Sequence, residues 1–178
     1  MLPHLFHWFY CLSIPRAVLL LALGTGLLCF LHSRLRRRIL WQVLLWLLLL
    51  AGCFVIAAHT VLLRSPGAVQ PPVLQPLQSY RDVLHGGNVE ILRSNFMNVA
   101  LFYPLGLLPA LLLNRKRHPL LRTAVITLLF LLFSCAIEYA QLHFALGLCE
   151  VDDVLHNTLG AFLGALAGGL LPRFFPNH

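Results

Sequence analysis

Apolar residues run along this chain in long blocks, without the period-two alternation of a half-buried strand or the single stripe of a soluble amphipathic helix. Five blocks approach the roughly 20 residues that carry a helix across a bilayer: residues 15–31, 39–63, 96–113, 120–144 and 154–171. Residues 34–38 and 114–119 between them are dense in basic side chains, and residues 65–88 are rich in Pro, Gln and Gly, a loop-forming composition. The pattern predicts an all-α protein, a polytopic transmembrane helix bundle of about five spans, as a single membrane domain over residues 1–178. Ahead of the first block, Pro3 and Pro15 bracket an apolar run too short to span, with no basic n-region, so a cleaved signal peptide is not expected. No internal repeat is visible.

Composition strengthens that reading. Hydrophobic residues make up 59% of the chain and charged residues 11%, and the mean hydropathy of +0.81 lies outside the soluble globular range. The longest polar stretch, residues 64–94, is too short for a second domain. A net charge of +7 raises nucleic acid as a partner, but the basic residues sit in short links without aromatic interleaving, so they are read as topology signals. With the N-terminus outside, the inner side receives Arg34, Arg36, Arg37, Arg38, Arg115, Lys116, Arg117, Arg122 and Arg173, and the outer side Arg16, Arg64, Arg81 and Arg93. Nine against four satisfies the positive-inside rule and predicts N-out/C-in. Asp82, Glu90, Glu150, Asp152 and Asp153 then lie in or beside the outer loops, with Glu138 toward the outer end of the fourth block. The Arg34–Arg38 cluster also suits lipid head groups. Five cysteines without CxxC spacing indicate neither a disulfide framework nor a zinc site.

Polar residues inside the apolar blocks need a reason, since ionisable groups at membrane depth are costly unless paired, hydrated or protonated. Ser134, Glu138 and Gln141 share one helical stripe. Asp153, Asn157, Gly160, Gly164 and Gly168 share another, a polar end continuing into a small-residue groove for close helix contact. Asn95 and Asn98 follow Arg93 at the start of the third block, ahead of Pro104, which should kink that helix. In the predicted topology these three segments meet at one depth near the outer face. Plainer roles compete residue by residue: an ion pair between Glu138 and Arg93, helix capping by Asp152 and Asp153, and interhelical hydrogen bonding by Asn98 and Gln141. His143 and His156 lie near the carboxylates, but without compact ligand spacing no metal site is expected.

Three ordered stretches resemble the VanZ-like membrane proteins. They are Arg93-Ser-Asn95-Phe-Met-Asn98-Val-Ala-Leu-Phe-Tyr-Pro104-Leu-Gly106, then Glu138-Tyr-Ala-Gln141, then Gly147-Leu-Cys-Glu150-Val-Asp152-Asp153-Val-Leu-His-Asn157-Thr-Leu-Gly160. The VanZ-like region runs over residues 75–171, the first two spans matching only in character. Many members carry an arginine shortly before the acidic loop, where this chain reads Phe144-Ala-Leu-Gly147; Arg81 or Arg93 would have to supply that charge. The resemblance implies a multi-pass protein of the bacterial cytoplasmic membrane, in a family whose founding member is associated with teicoplanin resistance.

The residues and the resemblance together predict an outward-facing acidic and amide pocket built from Arg93, Asn95, Asn98, Glu138, Gln141, Glu150, Asp152, Asp153 and Asn157. Its expected ligand is polar or amphiphilic and envelope-related, with cell-wall precursors and glycopeptides as candidates by resemblance; no cofactor and no nucleic acid are expected, and the bilayer is the standing partner. The alternative is an intramembrane enzyme using Glu138, Asp152 and Asp153 as acid/base groups, or as ligands of a divalent cation, on a lipid-linked phosphate. Oxygen ligation would favour Mg or Mn over Zn, but Ser134 and Thr158 show no adjacent base that would make either a nucleophile. Proton-coupled transport is a third possibility, poorly served by spans without repeats.

Overall fold

A computed structural model describes residues 13–86, 90–113 and 119–174, and among these the protein is built from helices. Helix α1 spans Ile14–Leu35 and opens on Pro15, whose fixed φ suits a first turn. After the arginine turn, α2 spans Ile39–Ala57 and continues into a π-helical turn, Ala58–Leu62. A short helix, α3 (Gln78–Gly86), precedes α4 (Glu90–Leu112), α5 (Pro119–His143) and α6 (Val151–Leu170), and a 3₁₀ turn, Leu171–Phe174, follows. Each predicted apolar block lies within a helix or its terminal turn. Arg115, Lys116 and Arg117, and nearly all of the N-terminal run, lie outside the described residues.

Four helices are long and apolar enough to cross a membrane: Ile14–Leu35, Ile39–Leu62, Glu90–Leu112 and Pro119–His143. The fifth predicted span is α6, whose 20 residues reach about 30 Å, but Asp152, Asp153, His156 and Asn157 in its first two turns make it less apolar than those four. Helix α4 begins at Glu90, ahead of the apolar block, because the polar residues before Phe96 complete its first turns, and it continues through Pro104 and Pro109.

Helix α4 is central. Of the four apolar helices it is the most enclosed, with 61% of its apolar window buried against 17% for α1. Its most extensive contact is with α6, and small residues set the spacing. A Cβ added at Gly160 would strike the Val99 carbonyl, one at Gly164 the Tyr103 carbonyl, and one at Gly106 the Ala161 carbonyl, so the two backbones nearly touch. Helix α5 packs on α6, while α2 and α1 pack on α4. Outer faces show the inverse pattern: Leu19, Leu23 and Leu27 on α1, Leu47 and Leu50 on α2, and Leu128 and Leu132 on α5 are exposed, as expected of a surface solvated by lipid tails. Thr25 bonds the Tyr103 hydroxyl at 3.1 Å between α1 and α4, and Trp41 Nε1 donates to His32 Nδ1 at 3.1 Å between α2 and α1.

The start of α4, the end of α5 and the start of α6 lie together at one end of the bundle, hereafter the polar end. Two backbone devices close it. Helix α5 ends in a Schellman motif: Ala145 takes φ 52°, Leu146 N bonds Gln141 O at 2.8 Å, and Ala145 N bonds Leu142 O at 3.4 Å. The stretch from Leu63 to Leu77 then crosses the polar end, tied by Gly67 N to Ala145 O at 2.8 Å and by a parallel bridge in which Val73 N meets Cys149 O at 2.9 Å and Val151 N meets Val73 O at 3.1 Å.

Candidate functional site

A cavity of about 260 Å³ opens among the helices at the polar end. Helix α4 contributes Ser94, Asn98, Leu101 and Phe102; α5 contributes Ile137, Glu138 and Gln141; the following loop contributes Leu148 and Glu150; and α6 contributes Asp153 and Asn157. The fourth wall is the end of α2, with Ile56, His59, Thr60 and Arg64. There the π turn changes the register of the backbone and Thr60 O accepts from Gln141 Nε2 at 3.3 Å.

Hydrogen bonds hold the polar walls. Asn98 Nδ2 donates to Asp153 Oδ1 at 2.7 Å, joining α4 to α6. Glu138 Oε2 accepts from Glu150 N at 3.0 Å. Glu150 is the N-cap residue of α6 and its side chain makes no capping bond, so a carboxylate from α5 occupies the positive end of the α6 dipole. Asn157 Nδ2 donates to Ser134 Oγ at 2.9 Å between α6 and α5. Asn157 Oδ1, on a side chain 6% exposed, has no partner. A buried amide oxygen without a donor is costly, and this one belongs to a cavity wall. In the loop, burial raises the Glu150 carboxyl above its ordinary pKa, assisted by the neighbouring Asp152 and Asp82 carboxylates.

Six of the nine predicted site residues therefore line one cavity: Asn98, Glu138, Gln141, Glu150, Asp153 and Asn157. The other three lie beside it. Arg93 forms an ion pair with Glu90 at 3.6 Å. Asn95 Nδ2 donates to Ser79 Oγ at 2.9 Å. Asp152 accepts from Leu77 N, from Ser79 N at 2.8 Å and from Ser79 Oγ, bonds that hold Leu77 at φ 62°, a conformation costly for a side-chain-bearing residue. Asp152 thus fastens the approach to α3 onto α6, and Tyr80 adds a 2.8 Å hydrogen bond between its hydroxyl and His156 Nε2. Among the described residues no group of three or more His, Cys, Asp or Glu side chains is arranged to hold a metal ion. His143 stacks on Tyr139 and does not line the cavity.

The sequence model of the family described as VanZ/LLP1 matches residues 39–171. The chain belongs to the VanZ/LLP1 family. No curated protein and no solved structure shows a significant match. The match takes in α2 as well as the three motif-bearing helices, and with four apolar helices it makes this a membrane protein.

Within this VanZ/LLP1 chain the residues that sequence reasoning missed are those of α2 and its exit, His59, Thr60 and Arg64, together with Ser94. The signal was available: Arg64 follows directly on the second apolar block, and the depth argument used for the other three segments would have put residues 59–64 at the same end. Arg64 Nη1 donates to Leu146 O at 3.3 Å, and a Cβ at Gly147 would collide with that guanidinium. The arginine on the cavity wall is thus neither Arg81, which bonds Gln75 at 3.4 Å, nor Arg93; it comes from the end of the second span.

Proposed function

We propose that this protein sits in the bacterial cytoplasmic membrane in the N-out/C-in orientation and uses the cavity at its polar end to bind a polar or amphiphilic ligand of the cell envelope. Glu138, Glu150 and Asp153 supply charge, and Asn98, Gln141 and Asn157 fix the ligand's orientation. The observation that carries this reading is the unpartnered Asn157 Oδ1 in the wall of a polar cavity enclosed by apolar helices. A pocket so expensive to maintain is best explained by an occupant that supplies the missing donor.

Size narrows the reading. A cavity near 260 Å³ falls just under the roughly 300 Å³ at which pockets for drug-sized molecules begin. A whole glycopeptide does not fit inside, so a role in teicoplanin tolerance runs through a small group or through an envelope component. A nucleophilic role for Ser134 is not supported, since its hydroxyl is engaged by Asn157 rather than aimed by a base.

Glu138→Ala and Asp153→Ala variants, compared with wild type at matched membrane abundance, test the proposal. Both are expected to lower teicoplanin tolerance in cells that depend on the protein; unchanged tolerance at full abundance contradicts the link.

A further inference from the structure

The cavity's charges are unequally placed. Deep in it, Glu138 and Asn157 are more than nine-tenths buried. Glu138 Oε2 and Asp153 Oδ1 are engaged by Glu150 N and Asn98, which leaves the second oxygen of each carboxylate, and the unpartnered Asn157 Oδ1, as acceptors. Every one of these groups wants a donor, and acidic groups outnumber cations on the wall. At the rim, exposed Arg64 presents a guanidinium anchored by a single bond to Leu146 O.

Resting on the reading of this cavity as a ligand site, we infer that it takes a zwitterion: a primary ammonium seated among Glu138, Asp153 and Asn157, with an anionic group one short linker away on Arg64. A primary ammonium carries three N–H donors, which match two carboxylate oxygens and an amide oxygen. A quaternary ammonium has none and is recognised by aromatic cages, whereas among the described residues Phe102 is the one Phe, Tyr or Trp on this wall. Arg64 suits a phosphate or carboxylate through its planar fork. The order of charges, ammonium deep and anion at the mouth, also fits a lipid head group whose acyl chains leave through the rim, and it fits a free zwitterion of the same chemistry.

The test uses full-length protein in phosphatidylcholine nanodiscs, titrated with O-phosphorylethanolamine, O-phosphorylcholine, ethanolamine and inorganic phosphate. In parallel, native mass spectrometry measures lipids retained from nanodiscs containing phosphatidylethanolamine or phosphatidylglycerol. O-phosphorylethanolamine should bind at least about tenfold more tightly than the choline analogue or either half alone. Arg64→Gln should reduce it to the level of ethanolamine, and Asp153→Asn should remove the preference for the ammonium. Selective retention of phosphatidylethanolamine identifies a lipid source; soluble binding without such retention identifies a free zwitterion. Equal binding of the choline analogue, or of one half alone, overturns the zwitterion while leaving a ligand cavity. No binding by any probe and no retained molecule overturns both.

Discussion

Two adjacent aspartates at the start of α6 do different work because neighbouring residues on a helix point about 100° apart. Asp152 faces the crossing segment and accepts three hydrogen bonds from Leu77 and Ser79; Asp153 faces the cavity and meets Asn98. Asp152→Ala leaves two backbone donors without their acceptor and releases Leu77 from its left-handed conformation, so it should destabilise the purified protein by about 2–4 kcal/mol. Asp153→Asn keeps a hydrogen-bonding side chain of the same size and should change the melting temperature little while removing charge from the cavity. Thermal unfolding of the two variants in detergent checks the contrast, and equal losses would contradict the division of labour. Ala145 offers a change of the opposite sign. It occupies the left-handed position of the Schellman motif that glycine favours, so Ala145→Gly should stabilise by about 0.5–1 kcal/mol.

Among elements, the contact between α4 and α6 fixes the site, because Asn98 reaches Asp153 only when the two backbones are close. Gly164→Leu drives a side chain into the Tyr103 carbonyl and the Leu107 amide, and overpacking of this kind costs about 1–3 kcal/mol. Gly24→Leu, where an added Cβ meets nothing within 4 Å, should be tolerated and is the control. Loss of melting temperature together with loss of a disulfide cross-link between cysteines at positions 98 and 153 would show separation of the helices; an unaffected cross-link in Gly164→Leu would contradict this account. The small-residue groove was legible from spacing alone, since Gly160, Gly164 and Gly168 recur every four residues. Its partner surface was not, because most of what it meets is main chain, that of Val99, Tyr103 and Leu107, with the Ala110 Cβ and the Leu107 side chain beside Gly168, and main-chain contacts are encoded by no side-chain pattern.

For the whole molecule, the run lengths and basic links disclosed the helices, and three polar stripes disclosed the end of the bundle where a site would form. The depth of His59, Thr60 and Arg64 was legible, but their place on the cavity wall was not: His59 and Thr60 are submerged in the continuous second apolar block, and the π turn at the end of α2 is a backbone event with no composition of its own. Asp152 was indistinguishable from Asp153 for a similar reason, as its partners are main-chain amides of Leu77 and Ser79, seventy-five and seventy-three residues away. Orientation is a prediction of the arginine distribution and belongs at this scale. Leu84→Cys, exposed at the polar end, and Ile39→Cys, exposed at the arginine-rich end, should be labelled by a membrane-impermeant thiol reagent in intact cells at position 84 and, at position 39, only after permeabilisation. The reverse pattern would place the cavity on the inner face.

The central claim is that the polar end holds a ligand, and the most direct measurement is native mass spectrometry of wild type and a Glu138→Gln/Asp153→Asn double variant, extracted from cells in parallel. The account predicts a small polar or amphiphilic molecule retained by the wild type and lost from the double variant at equal folded yield. Identical spectra for the two proteins would contradict it.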